Sequence, residues 1–279
     1  MAQFMFGTVG SPIATPAKPG GSVGAIQTTS QLGLTAMELG WVQAVRVSEQ
    51  TCAAIKAEAE KLDIALSVHA PYFINLNADA EEWPKSRKRL MDAAYYGNLA
   101  GATDIIFHPG SYFQKPPAEV LPVAIDRLAG CVEELTKTGN PVTLRPETMG
   151  KSAMLGSLED TLEMAKEIHH VLPCVDFAHL HARPGDGSNN SEDEWKKLLD
   201  LYARLLGEKS LKHLHIHMSG IEYTLKGEKN HLPIRESDFN LPGLFKALKS
   251  FDAGGRILCE SPIMEKDALY MKETWESIQ

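Results

Sequence analysis

The chain has 279 residues, of which 43% are hydrophobic and 23% are charged, a balance that is typical of a globular protein and excludes a disordered or fibrous one. Its net charge of −8 argues against a protein held on nucleic acid by a generally basic surface. No apolar run reaches the roughly 18 residues of a membrane span and the four cysteines are scattered, so we expect a cytoplasmic protein with reduced thiols, no secretory signal and no membrane contact.

Apolar, β-branched runs alternate with amphipathic stretches along the chain. The predicted strands cover residues 4–9, 36–41, 65–69, 104–108, 142–147, 174–177, 211–217 and 256–260. The predicted helices cover residues 22–32, 48–62, 81–101, 117–138, 157–170, 191–207, 239–250 and 264–278. This strict alternation predicts an α/β fold, a (β/α)8 TIM barrel that occupies residues 1–279 as a single domain. An open doubly wound sheet is the alternative, but no good GxGxxG turn follows the first predicted strand.

Acidic or imidazole side chains stand at the ends of six consecutive predicted strands. These residues are His69, His108, Glu147, Asp176, His217 and Glu260, and His179 follows shortly after the sixth strand. In a TIM barrel the C-terminal strand ends meet at one rim, where active sites lie. Imidazole nitrogens and carboxylate oxygens bind divalent transition metals. Because carboxylates crowded into a poorly solvated cleft cannot all ionise without a cation, the pattern predicts a metal site rather than isolated hydrogen-bonded side chains.

The seventh predicted strand places three histidines on one face. His213, His215 and His217 alternate with Leu214 and Ile216, and side chains two residues apart in a strand point the same way. The apolar pair is predicted to face the helices, which turns the histidines into the barrel. We expect His217 to be a ligand, His215 to support it from about 6–7 Å lower, and His213 to be a buried core histidine.

Arg145 lies two residues before Glu147 and is therefore predicted to point into the barrel as well. A buried guanidinium needs a carboxylate. Glu38, inward on the second predicted strand, is the predicted partner. For His181 the sequence leaves two interpretations open, a metal ligand or a loop contact.

A set of short motifs extends from the third predicted strand to the eighth. They are HAPYFINL from His69, FHPGSY from Phe107, Glu147-Thr with Gly150, VDFAH from Val175, then His217, His231, and CESP from Cys259. Together they resemble endonuclease IV, the metal-dependent apurinic/apyrimidinic endonuclease of the xylose isomerase-like TIM barrel superfamily. The combination of HxxYxINL with FHPGS is the most specific part of the resemblance.

The resemblance implies a hydrolase of DNA repair that cleaves DNA on the 5′ side of abasic sites, with two or three Zn²⁺ ions, or Mn²⁺, as cofactor. The implied metal ligands are His69, His108, Glu147, Asp176, His179, His217, His231 and Glu260. In this arrangement His69 and His108 hold a first ion, Glu147 bridges to a second, and His179 and His231 hold a third. Glu147 and Glu260 are the implied catalytic residues, the latter orienting the attacking hydroxide. Tyr72 matches a residue that the family places against DNA.

Three segments depart from the endonuclease IV pattern. The family has an aspartate ligand two residues before the histidine that matches His231, whereas this chain has Lys229 there. Either Glu228 or Glu222 supplies that ligand instead, or the third site is weak or empty. The family's first loop and its DNA-wedging element after the second strand are also replaced, so the resemblance supports the metal chemistry better than the DNA specificity.

A metal-dependent sugar isomerase or epimerase on the same barrel is the alternative function, with a small sugar as substrate. The quartet that such an enzyme uses for one metal is matched by Glu147, Asp176, His217 and Glu260. The further imidazoles of His69, His108, His179 and His231 have no place in a one-metal isomerase, and they favour the multinuclear zinc enzyme. A binding protein on a degenerate barrel is a third interpretation, which the nearly complete ligand set disfavours.

Overall fold

A computed structural model describes residues 4–278 of the chain as a parallel barrel. Its strands are β1 Phe4–Val9, β2 Ala36–Gly40, β3 Ala65–His69, β4 Asp104–Phe107, β5 Thr143–Pro146, β6 Cys174–Asp176, β7 Leu214–Met218, β8 Gly220–Thr224, β9 Gly227–Leu232 and β10 Gly255–Cys259. All strands except β8 and β9 form one parallel sheet in the order β5-β4-β3-β2-β1-β10-β7-β6. A parallel bridge between Glu147 and Cys174 joins its two ends. The prediction of a (β/α)8 TIM barrel is confirmed.

Helices connect the barrel strands on the outside. They are α1 Gly21–Gln31, α2 Glu49–Leu62, α3 Trp83–Leu99, α4 Pro117–Lys137, α5 Leu158–Glu167, α6 Phe177–Ala182, α7 Glu192–Leu206, α8 Leu241–Ser250 and α9 Glu265–Ser277. Capping boxes start two of them. The Ser157 side chain accepts the Asp160 N–H at the start of α5 and the Asp160 carboxylate accepts in return, and Ser191 and Glu194 do the same for α7.

The two faces of the barrel strands carry different chemistry, as β7 illustrates. Leu214, Ile216 and Met218 point outward and pack in the hydrophobic layer under the helices. His215 and His217 point inward and are fully buried. The inward side chains of β7 are therefore ionisable, like those at the C-terminal rim of the barrel.

The segment before β7 differs from the prediction. β7 begins at Leu214, and Glu208–His213 form a 3-10 helix instead of the start of the strand. His213 is therefore off the inward face and exposed, so its interpretation as a buried core histidine is wrong. Residues 220–232, where no strand was predicted, form the antiparallel hairpin of β8 and β9 beside the rim.

The predicted ion pair between Arg145 and Glu38 is also wrong, although both side chains point inward. The Arg145 guanidinium reaches toward the N-terminal end of the barrel, where Asp104 and the carbonyl oxygens of Pro173 and His213 accept its hydrogen bonds. The Glu38 carboxylate instead reaches toward the histidines of β7. The two groups belong to different layers of the barrel interior.

Two further sequence predictions concern the chain as a whole. Among the helices within residues 4–278, none combines the length and the apolar character that a membrane crossing requires. The four cysteines are buried and free. The predicted domain extent of 1–279 includes residues 1–3 and 279, which lie outside the described residues.

Candidate metal centre

A single buried carboxylate stands at the centre of the C-terminal mouth. Glu147 follows β5 directly and is fully buried. Its Oε2 lies 3.3 Å from Nε2 of His69 and 3.3 Å from Nε2 of His108. Its Oε1 lies 3.3 Å from Nδ1 of His217 and 3.5 Å from Nδ1 of His179. Each oxygen therefore faces two imidazoles, an arrangement suited to a carboxylate shared between two cations.

Two more carboxylates extend this cluster to one side. Glu260 follows β10, and its Oε1 lies 3.3 Å from Nδ1 of His217. Asp176 ends β6 and caps α6, since its Oδ1 accepts the backbone N–H of His179 at 2.7 Å. This cap holds His179 over the mouth, where its Nε2 lies 3.2 Å from Nε2 of His231. Ligand atoms of Asp176, His179 and His231 all lie within 4.8 Å of one another.

The orientation of three imidazoles is fixed by backbone carbonyls. In His69, His179 and His231 the Nδ1 atom meets a carbonyl oxygen, which can only accept, so Nδ1 carries the proton. The acceptors are, in chain order, the carbonyl oxygens of Ala70, Thr148 and Glu260, at 2.9, 2.9 and 3.2 Å. Each Nε2 is therefore the nitrogen that faces the cluster, and it can bind a metal ion that displaces its proton.

The hairpin turns one of the two candidate glutamates toward the histidines of the mouth. Lys229 lies 2.6 Å from Glu222 on the outer side of the hairpin, and both side chains are substantially exposed. Glu228 faces inward instead, with its carboxylate oxygens 3.6 Å from Nε2 of His179 and 3.9 Å from Nε2 of His231. Of the two alternatives predicted, the geometry therefore favours Glu228.

A β-bulge explains how Glu228 reaches the histidines. Tyr223 pairs with Glu228 but Glu222 pairs with Asn230, so one extra residue, Lys229, is inserted into β9. Side chains three apart, such as those of Glu228 and His231, lie on opposite faces of a regular strand, and the bulge brings them to the same face. The bulge thus re-aims the carboxylate toward the mouth.

Gly150 makes room for this carboxylate. A Cβ at Gly150 would lie 2.6 Å from Cβ of Glu228 and 3.0 Å from Cδ2 of His179, closer than side chains approach one another. The Gly150 carbonyl also accepts the backbone N–H of Glu228 at 2.9 Å. The loop after β5 and the hairpin are therefore fitted to each other next to His179.

The pKa shifts in the cluster show that its buried carboxylates depend on nearby positive charge. Burial raises the pKa of Asp176 to about 6, and the nearby Glu147 adds to the effect. Burial opposes charge on His179, yet Asp176 and Glu147 raise its pKa to about 9. Burial also opposes charge on Glu147, but His217 and the other imidazoles hold its pKa well below the ordinary value. In the protein alone, protons on imidazoles neutralise the acids, and a metal ion would displace those protons.

The spacing of the cluster fits divalent cations such as Zn²⁺. Two ligands about 2.0–2.1 Å from one tetrahedral ion lie about 3.3 Å apart, whereas a charged hydrogen bond closes to about 2.7–2.9 Å. The 3.3 Å separations of Glu147 from His69, His108 and His217 match the first value. Within residues 4–278, the buried Oδ2 of Asp176 also has no hydrogen-bond partner, which leaves it free to bind a cation.

Tyr72 lies on the open side of the mouth. Its ring stacks on His108 with centroids 5.0 Å apart, and 46% of the residue is exposed. Burial of the hydroxyl and the negative Glu260 raise the pKa of Tyr72 to about 12. The phenol therefore stays protonated at neutral pH and presents a neutral donor to whatever enters.

The structure places the eight predicted ligands and Tyr72 around one mouth. His181 is not among them, because its Nδ1 meets the Ser188 carbonyl at 2.8 Å and its Nε2 meets Asp238 at 3.1 Å. His181 is thus a loop contact.

His215 lies below the cluster, and burial lowers its pKa to about 4. Sequence reasoning missed Glu38 as the neighbour of His215; its inward position on β2 was the available signal.

A family described as xylose isomerase-like TIM barrel matches residues 26–278. The chain belongs to this family. The match includes the strand ends that carry the predicted ligands, from β3 to β10. Membership shows the barrel architecture, while the chemistry depends on the residues at the mouth.

Proteins of different kinds resemble the chain. An uncharacterized protein of Methanocaldococcus jannaschii is 37% identical over 277 residues, which are 99% of this chain and 98% of that protein. Endonuclease 4 of Thermus thermophilus is 28% identical over 206 residues, 71% of this chain and 72% of that protein. The predicted resemblance to endonuclease IV is therefore confirmed. The crystal structure of a D-tagatose 3-epimerase-like protein superposes with a TM-score of 0.74 over 99% of this chain and 97% of that chain, at 18% identity, which shows the shared fold alone.

Proposed function

We propose that the chain is a zinc-dependent phosphodiesterase of the endonuclease IV type that cleaves DNA on the 5′ side of abasic sites. The observation that carries this proposal is the number of imidazoles around Glu147. A one-metal sugar isomerase leaves no role for His69, His108, His179 and His231, yet all four turn toward the cluster. Similarity to endonuclease 4 of Thermus thermophilus supports the same interpretation.

The proposed ligand sets follow the resemblance to endonuclease IV, and most of them are supported by contacts at the mouth. His69 and His108 face Oε2 of Glu147 and hold one ion with it. Because its other oxygen faces His217, Glu147 would also contribute to a second ion. The resemblance to endonuclease IV implies that Asp176, His217 and Glu260 would hold that second ion together with Glu147. In the structure, Asp176 lies closest to His179 and His231, whereas His217 and Glu260 lie with Glu147. The third ion is held by His179, His231 and Glu228, with the last residue in place of the aspartate that Lys229 displaces.

When bound, such ions act as Lewis acids, which polarise a phosphoryl oxygen and generate a nucleophile from water at neutral pH. The protein residues supply position and charge. Glu147 is fully buried and fixes the spacing of the imidazoles on both sides of it. The Glu260 side chain is 12% exposed, whereas those of Glu147 and Asp176 are fully buried. Of these three carboxylates Glu260 is therefore the one that can orient the attacking water.

Aromatic side chains at the rim support a nucleic acid substrate. Phe73 and Phe113 are more than half exposed on the loops after β3 and β4, and Phe73 directly follows Tyr72 in the sequence. Exposed aromatic rings stack on nucleotide bases and contribute about 1–3 kcal/mol per base. Since the chain carries a net charge of −8, DNA contact is confined to this rim and the ions beneath it.

The second candidate function is epimerisation or isomerisation of a sugar. Glu147, Asp176, His217 and Glu260 supply the residue types of a one-metal quartet, whose three carboxylates would lie beside the metal. Carboxylates in such positions move a proton between carbons. This candidate requires that His69, His108, His179 and His231 bind no metal.

Cleavage of a synthetic oligonucleotide tests the choice. The purified protein is incubated with a duplex that carries one tetrahydrofuran abasic site, and with the same duplex without it. We expect a nick 5′ to the abasic site, none in the intact duplex, and loss of activity after EDTA that added Zn²⁺ restores. No nicking by zinc-loaded protein, together with epimerisation of a ketose in the presence of Mn²⁺, would overturn the proposal in favour of the sugar enzyme.

A further inference from the structure

A buried carboxylate that the proposed ligand sets do not use lies directly below the mouth. Glu38 is in the middle of β2 and is fully buried in the barrel interior. Two neighbours hold one of its oxygens: Ser67 donates its hydroxyl hydrogen to Oε2 at 2.6 Å, and Nε2 of His215 lies 3.0 Å from the same atom. The plane of the carboxylate is therefore fixed from the β3 and β7 sides.

The other oxygen of Glu38 points at a predicted ligand. Oε1 lies 3.0 Å from Nε2 of His217. Within residues 4–278 neither atom has an aligned hydrogen-bond partner, so a small rotation of either group would pair the two buried atoms with each other. The opposite ring nitrogen of His217, Nδ1, faces Glu147 and Glu260 at 3.3 Å each. The imidazole thus stands between a carboxylate below it and the candidate metal centre above it.

His217 differs from three other histidines of the cluster in what holds its second nitrogen. His69, His179 and His231 each have Nδ1 against a backbone carbonyl and turn Nε2 toward the cluster. His217 turns Nδ1 toward the cluster, so its Nε2–H requires an acceptor inside the barrel. Glu38 is the group at that position.

We propose that Glu38 is a positioning residue that receives the Nε2–H of His217, with Ser67 and His215 holding its carboxylate in place. The contact fixes the tautomer in which Nδ1 carries the lone pair, and a carboxylate acceptor makes that nitrogen a stronger ligand than a carbonyl acceptor does. The inference rests on the proposed metal site at His217 and is independent of whether the substrate is DNA or a sugar.

The tautomer of His217 is the direct readout. Protein labelled with ¹⁵N-histidine and loaded with Zn²⁺ is examined by long-range ¹H–¹⁵N correlation, and the His217 signals are assigned from their loss in His217→Asn. We expect wild type to show the Nε2–H form. In Glu38→Gln, whose amide also offers a donor, we expect these signals to shift or broaden as the single tautomer is lost.

Metal affinity gives the second readout, by competition for Zn²⁺ with a chromogenic chelator. Removing the group that holds the second nitrogen of a metal-binding histidine typically weakens metal affinity about 10- to 100-fold. We expect Glu38→Gln to weaken the affinity for Zn²⁺ by that factor and Ser67→Ala to weaken it by less. The control Glu133→Gln removes an exposed glutamate on α4 that pairs with Lys137, and its affinity should equal that of wild type.

The outcomes separate this inference from the proposed function. If wild type binds no Zn²⁺, the proposed metal site fails. If wild type binds Zn²⁺ and Glu38→Gln keeps both its affinity and the His217 tautomer, the positioning role fails while the metal site stands. Ser67→Ala decides the matter if Glu38→Gln does not fold: unchanged affinity and tautomer in that variant would overturn the inference.

Discussion

The ion cluster at the N-terminal end of the barrel gives the most quantitative prediction. Asp104 accepts a hydrogen bond from Nε of Arg145, and its Oδ2 lies 3.2 Å from Nη1 of Arg256. All three side chains are less than 15% exposed. The substitution Asp104→Asn keeps the shape of the side chain but removes the negative charge, which leaves two poorly solvated guanidinium groups without their nearest carboxylate.

The cost follows from this burial. Removing one partner of a buried ion pair typically costs about 3–5 kcal/mol, a large part of the roughly 5–15 kcal/mol by which a domain is stable. In large single domains each kcal/mol lowers the melting temperature by about 2–4 °C. We therefore expect Asp104→Asn to melt about 6–20 °C below wild type.

Thermal and urea unfolding followed by circular dichroism measure the effect. The matched control is Asp92→Asn, which removes the exposed partner of Lys88 on α3; exposed pairs contribute little, so its transition should overlay that of wild type. If Asp104→Asn lowered the free energy of unfolding by less than about 1 kcal/mol, the view that this cluster stabilises the N-terminal end of the barrel would be refuted.

The contacts of Asp104 with its two arginines also predict that the stability of the protein depends on pH. Burial opposes charge on Asp104, but Arg145 and Arg256 outweigh it and hold its pKa well below the ordinary value. A lowered native pKa contributes stability above the unfolded value of about 3.9, and that contribution is lost as the pH falls from there through the native pKa. The stability difference between wild type and Asp104→Asn should be constant from pH 5 to 7 and should narrow below about pH 4.

Three further predictions concern the mouth of the barrel. Glu147→Gln should lose most bound metal, because four imidazoles share that carboxylate; metal analysis after desalting checks this. Glu260→Gln should keep its metal but lose most turnover, and full activity would remove Glu260 from the chemistry. Glu228→Gln should lower the number of bound ions by one, while Glu222→Gln, whose side chain pairs with Lys229 on the outer side, should bind as many ions as wild type.

The barrel and the strand ends were predictable because their signals are local. Alternating strand and helix patterns give the fold, and an apolar–polar alternation such as that of Leu214 to His217 tells which side chains turn inward. Once eight parallel strands close into a barrel, every strand end reaches the same rim. That is why residues as distant in sequence as His69 and Glu260 were expected together, and the structure brings them to one mouth.

The partner of Arg145 and the choice between Glu228 and Glu222 could not be predicted, because both depend on how neighbouring strands are aligned. Arg145 and Glu38 both face inward, but the layer that each side chain reaches is set by strand stagger, and Asp104 was closer to the guanidinium. The choice between Glu228 and Glu222 depended on a bulge at Lys229, which shifts side chains by one position without a clear sequence signal. Neither the stagger nor the bulge follows from the pattern of a single strand.

The central claim is that divalent cations at the mouth bind and neutralise the acids around Glu147. Anomalous diffraction at the zinc absorption edge, from crystals of protein purified with Zn²⁺ and freed of excess metal, tests it most directly. The account predicts two or three peaks, at least one of them adjacent to Glu147 and the imidazoles of His69 and His108. An absence of peaks there, with these imidazoles hydrogen-bonded to the carboxylates through protons, would contradict it.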